Sequence, residues 1–375
     1  MKKIKSIAIF GTRPEAIKMA PLVKELGKID SIENKVCVTA QHRQMLDQVL
    51  SLFGIRPDFD LNIMKSKQTL TGITTRVLQG LEGIFEREKP NLVIVHGDTT
   101  TTFAGALAAF YKKIEVGHVE AGLRTYDKYF PFPEEMNRRL TGAIADLHFA
   151  PTVGSKNNLL REGVPEDKIF VTGNTVIDAM NFTVEQGYVF NNNELNQIDY
   201  VHRKVILVTA HRRENWGRGI ENICNALKKI VKDNAGVEII YLVHLNPIVK
   251  NAVYRILGNT PRVHLLPPLD TKETHNLMNR CYMVMTDSGG LQEEAPHLGK
   301  PVLVLRGVTE RPEAVKAGTV KLVGTDEDNI VKLANELISN QNEYNMMSRA
   351  INPYGDGKAS KRIVAAILKH FNIEK

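Results

Sequence analysis

The sequence predicts an α/β protein made of two parallel-sheet domains. Apolar, β-rich runs alternate with helical patterns along the 375 residues, and the alternation restarts after an Asn-rich interval at 181–203. Charged or glycine-bearing motifs also recur directly after the apolar runs, where parallel sheets place their ligands. The length exceeds that of an ordinary single domain.

The first series has strands at 4–10, 35–40, 92–96, 114–119, 147–150 and 169–172. Helices are expected near 14–27, 43–53, 70–88, 102–112, 134–145 and 153–161. The opening SIAIF is too short for a signal-peptide core and is broken by Gly11, Thr12 and Arg13, so it reads as the first strand. Thr12 and Glu15 fit a capping box with Pro14 in the first turn, which starts the first helix at the end of that strand. Residues 181–203 are poor in apolar periodicity and read as a connector or a poorly packed helix. The second series places strands near 204–210, 237–244, 262–266, 282–287, 301–305 and 320–323. Its helices are expected near 219–233, 247–257, 273–280, 290–298, 311–317 and 327–339. After the Pro/Gly-rich bend NPYGDGKAS, Ile363, Val364, Ala366, Ile367 and Phe371 mark a terminal amphipathic helix. The expected domains are 1–172, with 357–375 packing back on it, and 173–356.

Composition narrows the function classes. Cys37, Cys224 and Cys281 are far apart with no CxxC pair, which argues against a disulfide framework or structural zinc and fits a reducing cytoplasm. No apolar run approaches the roughly 20 residues of a membrane span, so no membrane insertion is expected. The net charge of +7 suits an anionic ligand, yet basic residues are dispersed and aromatic residues make up only 6%, against nucleic-acid binding.

Carboxylates and a histidine stand after the strand-like runs: Asp98 in VIVHGDTTTT, Glu120 in VGHVEAGLRT, and His211 in VILVTAHRREN; Glu134 follows in PFPEEMNRR. At the carboxyl edge of parallel sheets such groups suggest acid–base chemistry on a small molecule. Arg13 and Lys18, at the start of the first helix, could oppose a diphosphate, although either alone reads equally as a surface cation. In DSGGLQEEAP, Ser288, Gly289 and Gly290 open a helix that lets backbone amides approach phosphate, and Glu294, one turn on, can accept ribose hydroxyls. By itself a Gly-Gly pair is more often a turn. The pairs His96/Asp98 and His118/Glu120 lack recognisable metal spacing, and no metal site is expected. Neither GxGxxG nor GxxxxGK[ST] occurs, and the two YxxxK matches, at Tyr200 and Tyr354, sit outside helical context.

At GTRPEAIKMAP, HGDTTTT, HVEAGLRT, PEEMNRR, GNTVIDA, HRREN and DSGGLQEEAP, in this order over nearly the whole chain, the sequence resembles the non-hydrolysing UDP-N-acetylglucosamine 2-epimerases. The resemblance implies a glycosyltransferase-B architecture: two Rossmann-like domains, an interdomain cleft holding the sugar nucleotide, and a C-terminal helix returning to the first domain. It implies reversible interconversion of UDP-GlcNAc and UDP-ManNAc for surface polysaccharides, in a cytoplasmic homodimer without a cofactor. The C2 proton of GlcNAc is not next to a carbonyl, and the missing glycine fingerprint argues against oxidation by NAD. Breaking the C1–O bond to UDP instead acidifies C2–H, giving anti elimination to 2-acetamidoglucal, protonation of the opposite face, and re-addition of UDP. By resemblance Asp98 and Glu134 are the proton-transfer groups, Glu120 stabilises or orients, and His211 lies near the leaving group. Arg13, Lys18 and Arg138 would oppose phosphate charge, while Ser288, Gly289, Gly290 and Glu294 hold UDP. An activating UDP-GlcNAc site appears in bacterial members, and its residues match Gln41, His42, Gln44, Arg212 and His244; a ligand touching both domains would favour the closed cleft. The rivals are a hydrolysing 2-epimerase, a UDP-sugar glycosyltransferase of the same fold, and a sugar-nucleotide sensor without turnover.

Overall fold

The computed structural model describes residues 3–41 and 43–373. Its strands are β1 (Ile4–Phe10), β2 (Ile32–Val38), β3 (Phe59–Asp60), β4 (Leu92–His96), β5 (Glu115–Val119), β6 (Leu147–Ala150) and β7 (Ile169–Val171), followed by β8 (Lys204–Thr209), β9 (Val237–Leu242), β10 (Val263–Leu266), β11 (Met283–Thr286), β12 (Val302–Val304) and β13 (Val320–Leu322). The helices are α1 (Arg13–Leu26), α2 (Arg43–Phe53), α3 (Leu70–Glu88), α4 (Thr100–Tyr111), α5 (Glu134–Ile144), α6 (Val153–Arg161), α7 (Thr175–Thr183) and α8 (Asn193–Gln197). Then come α9 (Arg218–Asp233), α10 (Pro247–Leu257), α11 (Thr271–Arg280), α12 (Gly289–His297), α13 (Pro312–Ala317), α14 (Glu327–Ser339), α15 (Gln341–Ser348) and α16 (Ala359–His370).

Among the described residues the strands form a seven-stranded sheet ordered β3-β2-β1-β4-β5-β6-β7 and a six-stranded sheet ordered β10-β9-β8-β11-β12-β13. Both are parallel throughout, in line with the α/β class read from the sequence. The chain divides into one compact unit that runs to Ala179 and resumes at Tyr354, and a second from Met180 to Pro353.

In the first unit the strand alternation sorts the core. Ala8 and Phe10 pack with Met19 and Leu22 of α1, Leu46 of α2, and Ile363 and Ile367 of α16. Ile7 and Ile9 face the other way, onto Val77 and Leu81 of α3 and Ala104 and Ala108 of α4. The carboxylate of Asp178 holds the start of α16 by accepting from the Ala359 (3.0 Å) and Ser360 (2.7 Å) N–H groups. In the second unit Ile206 and Val208 of β8 pack on Ile220 and Leu227 of α9, with Val249 of α10 and Ile330 of α14 in the same cluster.

Residues 181–203 are better packed than their composition suggests. The segment contains the end of α7 and all of α8, buries Phe190, Leu195 and Ile198, and is tied to α11. The Asn191 N–H donates to Glu273 at 2.8 Å, and the Arg280 guanidinium lies 4.9 Å from the Phe190 ring. Its asparagines serve as caps and turn partners, which is why the stretch lacks a periodic signal. β3, α7 and α15 were likewise not anticipated: β3 is only Phe59–Asp60, and α15 is a polar helix capped by Asn340.

Each sheet reverses its strand order once, between β1 and β4 in the first and between β8 and β11 in the second. The carboxyl ends flanking these reversals are the ligand positions of open α/β sheets. Most of the site residues read from the sequence lie there.

Candidate active site

In the first unit the chain leaves β1 through Gly11, where a Cβ would stand 1.9 Å from Thr39 Oγ1 and 2.7 Å from Thr101 Oγ1. Only glycine fits this turn. Next to it Glu15, 2% exposed, accepts from the Gly11 (3.0 Å) and Thr12 (2.8 Å) N–H groups and from the Thr99 (2.7 Å) and Thr102 (3.1 Å) hydroxyls. This one carboxylate clamps the starts of α1 and α4 together; burial pushes its pKa up and the hydrogen bonds oppose that. The Thr12 bond matches the capping box read from the sequence, and the same carboxylate takes up the Gly11 amide just before α1.

Two carboxylates then stand at the ends of β4 and β5, each held by a cation. Lys18 of α1 is ion-paired to Glu120, whose Oε2 also accepts from Asn174 Nδ2 at 2.8 Å. Glu120 adopts φ +62°, a left-handed backbone unusual for a residue with a side chain. Asp98 receives Arg138 through Nε at 3.0 Å and Nη2 at 2.6 Å, and its backbone carbonyl receives Asn137 Nδ2 at 2.9 Å. The Glu120 carboxylate lies close to Gly97, the residue before Asp98: a Cβ there would be 3.6 Å from Glu120 Oε1. Glu134 occupies the first turn of α5, one turn before Arg138, with its carboxylate partly exposed. Arg13 sits at the start of α1, partly exposed.

The two acidic residues of PEEMNRR divide into different jobs. Glu135 is fully buried and accepts from the Thr125 (3.0 Å) and Tyr126 (3.1 Å) N–H groups, fixing the loop before α5. Beneath the carboxylates, His96 is 2% exposed with neither ring nitrogen hydrogen-bonded, its Nε2 3.8 Å from Glu120 Oε2. Burial depresses its pKa to about 4. His118, at 2.7 Å from the Gly97 carbonyl, must donate through Nε2, and burial holds its pKa at about 3. Both rings are neutral at physiological pH. Among the described residues no group of three or more His, Cys, Asp or Glu could hold a metal ion.

The second unit brings cations to a glycine-opened helix start. Ser288 precedes α12, whose first residues are Gly289 and Gly290. A Cβ on Gly289 would lie 3.6 Å from Arg311 Nη2 and 4.0 Å from Arg212 Nη2, so two guanidiniums flank the helix start. Arg311 is ion-paired to Glu293, which is 2% exposed. Glu294 Oε2 lies 3.4 Å from His275 Nε2, and His275 Nδ1 is 2.6 Å from Thr183 Oγ1, a chain that orients the Glu294 carboxylate. After β8, the His211 ring stacks on His244 with centroids 5.1 Å apart and planes 15° from parallel. Burial lowers the His211 pKa, Asp287 opposes, and His244 and Arg212 add to the lowering.

Of the activator set, Arg212 and His244 lie together beside His211. In the other unit Gln41 accepts from Thr101 Oγ1 at 3.1 Å and Gln44 is exposed on α2; His42 lies outside the described residues.

A model of the UDP-N-acetylglucosamine 2-epimerase family matches residues 24–368. The UDP-N-acetylglucosamine 2-epimerase of Bacillus subtilis is 59% identical over 375 residues, covering 100% of this chain and 98% of that protein. The chain belongs to the UDP-N-acetylglucosamine 2-epimerase family. The solved structure of the Neisseria meningitidis UDP-GlcNAc 2-epimerase, bound to UDP-GlcNAc, is 53% identical, covers 98% of this chain and 100% of that chain, and superposes with a TM-score of 0.87. A glycosyltransferase of kitacinnamycin, 11% identical with both chains fully covered and a TM-score of 0.66, shares the fold alone. Within this epimerase family member, sequence reasoning missed Glu135, Asn174, His275, Asp287 and Arg311, and saw Glu15 only as a helix cap. Asp287 and Asn174 stood inside quoted motifs, DSGG and GNTVIDA, and could have been singled out; Arg311 and His275 carry no local signal because α13 and α11 bring them in from distant sequence.

Proposed function

We propose that the chain interconverts UDP-GlcNAc and UDP-ManNAc without hydrolysis, by anti elimination of UDP to 2-acetamidoglucal and its re-addition. The observation that carries the reading is the pairing of Asp98 with Arg138 and of Glu120 with Lys18 at the ends of adjacent strands, in a chain matched to the family over nearly its full length. Ionised carboxylates there stabilise oxocarbenium character at C1, and the cations oppose the departing diphosphate. Asp98 and Glu134 exchange protons at C2, Glu120 stabilises or orients, and Arg13, Lys18 and Arg138 act on phosphate charge. Ser288, Gly289, Gly290 and Glu294, joined by Arg311, hold UDP, with His211 at the diphosphate. The UDP-GlcNAc-bound relative supports this substrate for the present chain.

The same reading includes a second UDP-GlcNAc, bound as an activator through Gln41, His42, Gln44, Arg212 and His244. It also includes a cytoplasmic homodimer supplying surface-polysaccharide precursors; no described helix is long and apolar enough to cross a membrane. The test is NMR of UDP-GlcNAc with the purified protein in deuterium oxide, with no cofactor added. UDP-ManNAc carrying deuterium at C2 is the expected product. Free ManNAc plus UDP as the main products would instead establish a hydrolase, and unlabelled substrate a sensor. Turnover of UDP-ManNAc alone, without added UDP-GlcNAc, would remove the activator.

A further inference from the structure

Asp287 directly follows β11 and is fully buried, yet its two oxygens are treated very differently. Oδ2 accepts from the His211 and Arg212 N–H groups, each at 2.8 Å, and from Asn215 Nδ2 at 3.0 Å. Oδ1 is buried without a hydrogen-bond partner and lies 3.6 Å from His211 Nδ1. Leaving a buried acceptor unsatisfied is costly, so its position beside an ionisable ring calls for a reason. A small rotation of the imidazole closes the gap to hydrogen-bonding distance. On the ring's other side His244 receives the Asn246 N–H at Nδ1 (3.1 Å) and stacks on the His211 ring.

We propose that Asp287 is a positioning residue for His211: Oδ1 takes the Nδ1–H, fixes the tautomer that leaves Nε2 free for the diphosphate, and stabilises the imidazolium formed when UDP binds. This rests on the reading of His211 as the group beside the leaving diphosphate. The charged and titratable groups facing the ring are Asp287 from the end of β11, His244 from the segment after β9, and Arg212 next in the chain. With burial, His244 and Arg212 holding the proton off, the ring rests neutral. A diphosphate reverses the balance, and Nε2 takes a proton from solvent on binding and returns it on release. The backbone bonds to Oδ2 hold the carboxylate in place while this happens.

The experiment is nitrogen-15 NMR of the histidine rings in the intact protein, free and with UDP, beside steady-state kinetics across pH. Wild-type His211 is expected as the Nδ1–H tautomer, with its titration moving to higher pH when UDP is added. Asp287→Asn keeps an oxygen for the backbone donors but turns an NH2 toward Nδ1. It should switch the ring to the Nε2–H tautomer, move its titration to lower pH, and lower kcat by roughly 10- to 100-fold, with UDP affinity less affected. Asn215→Ala removes a bond to Oδ2 and one to the Leu305 carbonyl, leaves Oδ1 untouched, and should leave the His211 tautomer as in wild type. An Nδ1 without a proton in the wild-type protein overturns the proposal, even if the Asp287 variant fails to fold. The same tautomer change in both variants overturns it too, since Asp287 would then only support the loop. If Asp287→Asn switches the tautomer while kcat and its pH profile stay put, what falls is the assignment of His211 to the diphosphate.

Discussion

The two sheets present the same topological reversal and opposite chemistry. At β1/β4 the edge collects carboxylates: Glu120 is balanced by Lys18 and Asp98 by Arg138, while Glu15 is satisfied by four neutral donors. At β8/β11 it collects a glycine-opened helix with Arg212 and Arg311 beside Gly289. The lesson is that topology decides where a site lies while the few residues after each strand decide what it does. In the proposed reaction one edge moves protons and the other holds the diphosphate, and each assignment can be broken separately.

The largest effect is expected at the proton-moving edge. Asp98→Asn keeps the shape that receives Arg138 but cannot act as a base; turnover and C2 deuterium incorporation should fall together by about 10²–10⁴-fold while UDP binding stays close to wild type. Glu134→Gln should behave alike, although its carboxylate is less enclosed. Full activity in either variant would remove that residue from the proton-transfer pair.

Acid should separate the units next. Burial depresses His96, His118 and His148, all on β4–β6, to about 4, 3 and 4 from an ordinary 6.5. The unfolded chain therefore binds more protons below pH 6.5, so the stability from these neutral rings is complete above that pH and is lost as pH falls toward the folded values. Full protonation costs on the order of 3 kcal/mol per ring. The single tryptophan, Trp216, lies in the second unit and reports on it alone. Circular dichroism should lose signal at a higher pH than tryptophan fluorescence changes, and His96→Phe should narrow the difference. Coincident transitions would mean that the units unfold as one.

What the sequence revealed, and what it hid, follows the same division. Parallel strands buried on both faces are continuous apolar runs, so β1, β4, β8 and β11 and the residues immediately after them could be read directly. Glu120 and Asp98 are visible because they stand one and two residues past the ends of β5 and β4. Their partners are visible only in part: Lys18 and Asn174 both lie in motifs, but Asn174 reaches Glu120 from 54 positions away, and nothing in GNTVIDA announces that pairing. Residues 181–203 were hidden for another reason, since side chain-to-backbone bonds by asparagine stabilise structure without periodicity.

A smaller effect tests the anion-holding edge. Glu294→Gln removes the charge that the His275–Thr183 chain orients and should weaken UDP by roughly 10-fold, close to the value of one charge-assisted hydrogen bond. It should weaken 2′,3′-dideoxy-UDP hardly at all if the carboxylate reads the ribose hydroxyls. An equal loss for both ligands would assign Glu294 to structure instead.

The smallest expected effect compares two threonine pairs that brace the two edges. Thr39 and Thr101 share a hydroxyl bond of 2.9 Å beside Gly11, and Thr209 and Thr286 share one of 2.6 Å beside Asp287. Thr286 has a further duty, because its Oγ1 also accepts the Ser288 N–H at 2.9 Å, just before the glycine pair. Thr39→Val should cost about 1 kcal/mol, the net value of one neutral hydrogen bond, with no change in UDP affinity. Thr286→Val leaves both the Thr209 hydroxyl and the Ser288 amide short of a partner, so it should cost nearer 2 kcal/mol and weaken UDP a few-fold. Denaturant unfolding and calorimetric UDP titration measure the two parts. Equal losses of stability with unchanged UDP binding in both variants would show that the hydroxyl pairs only brace the sheets, and that Ser288 is held in place by α12 itself.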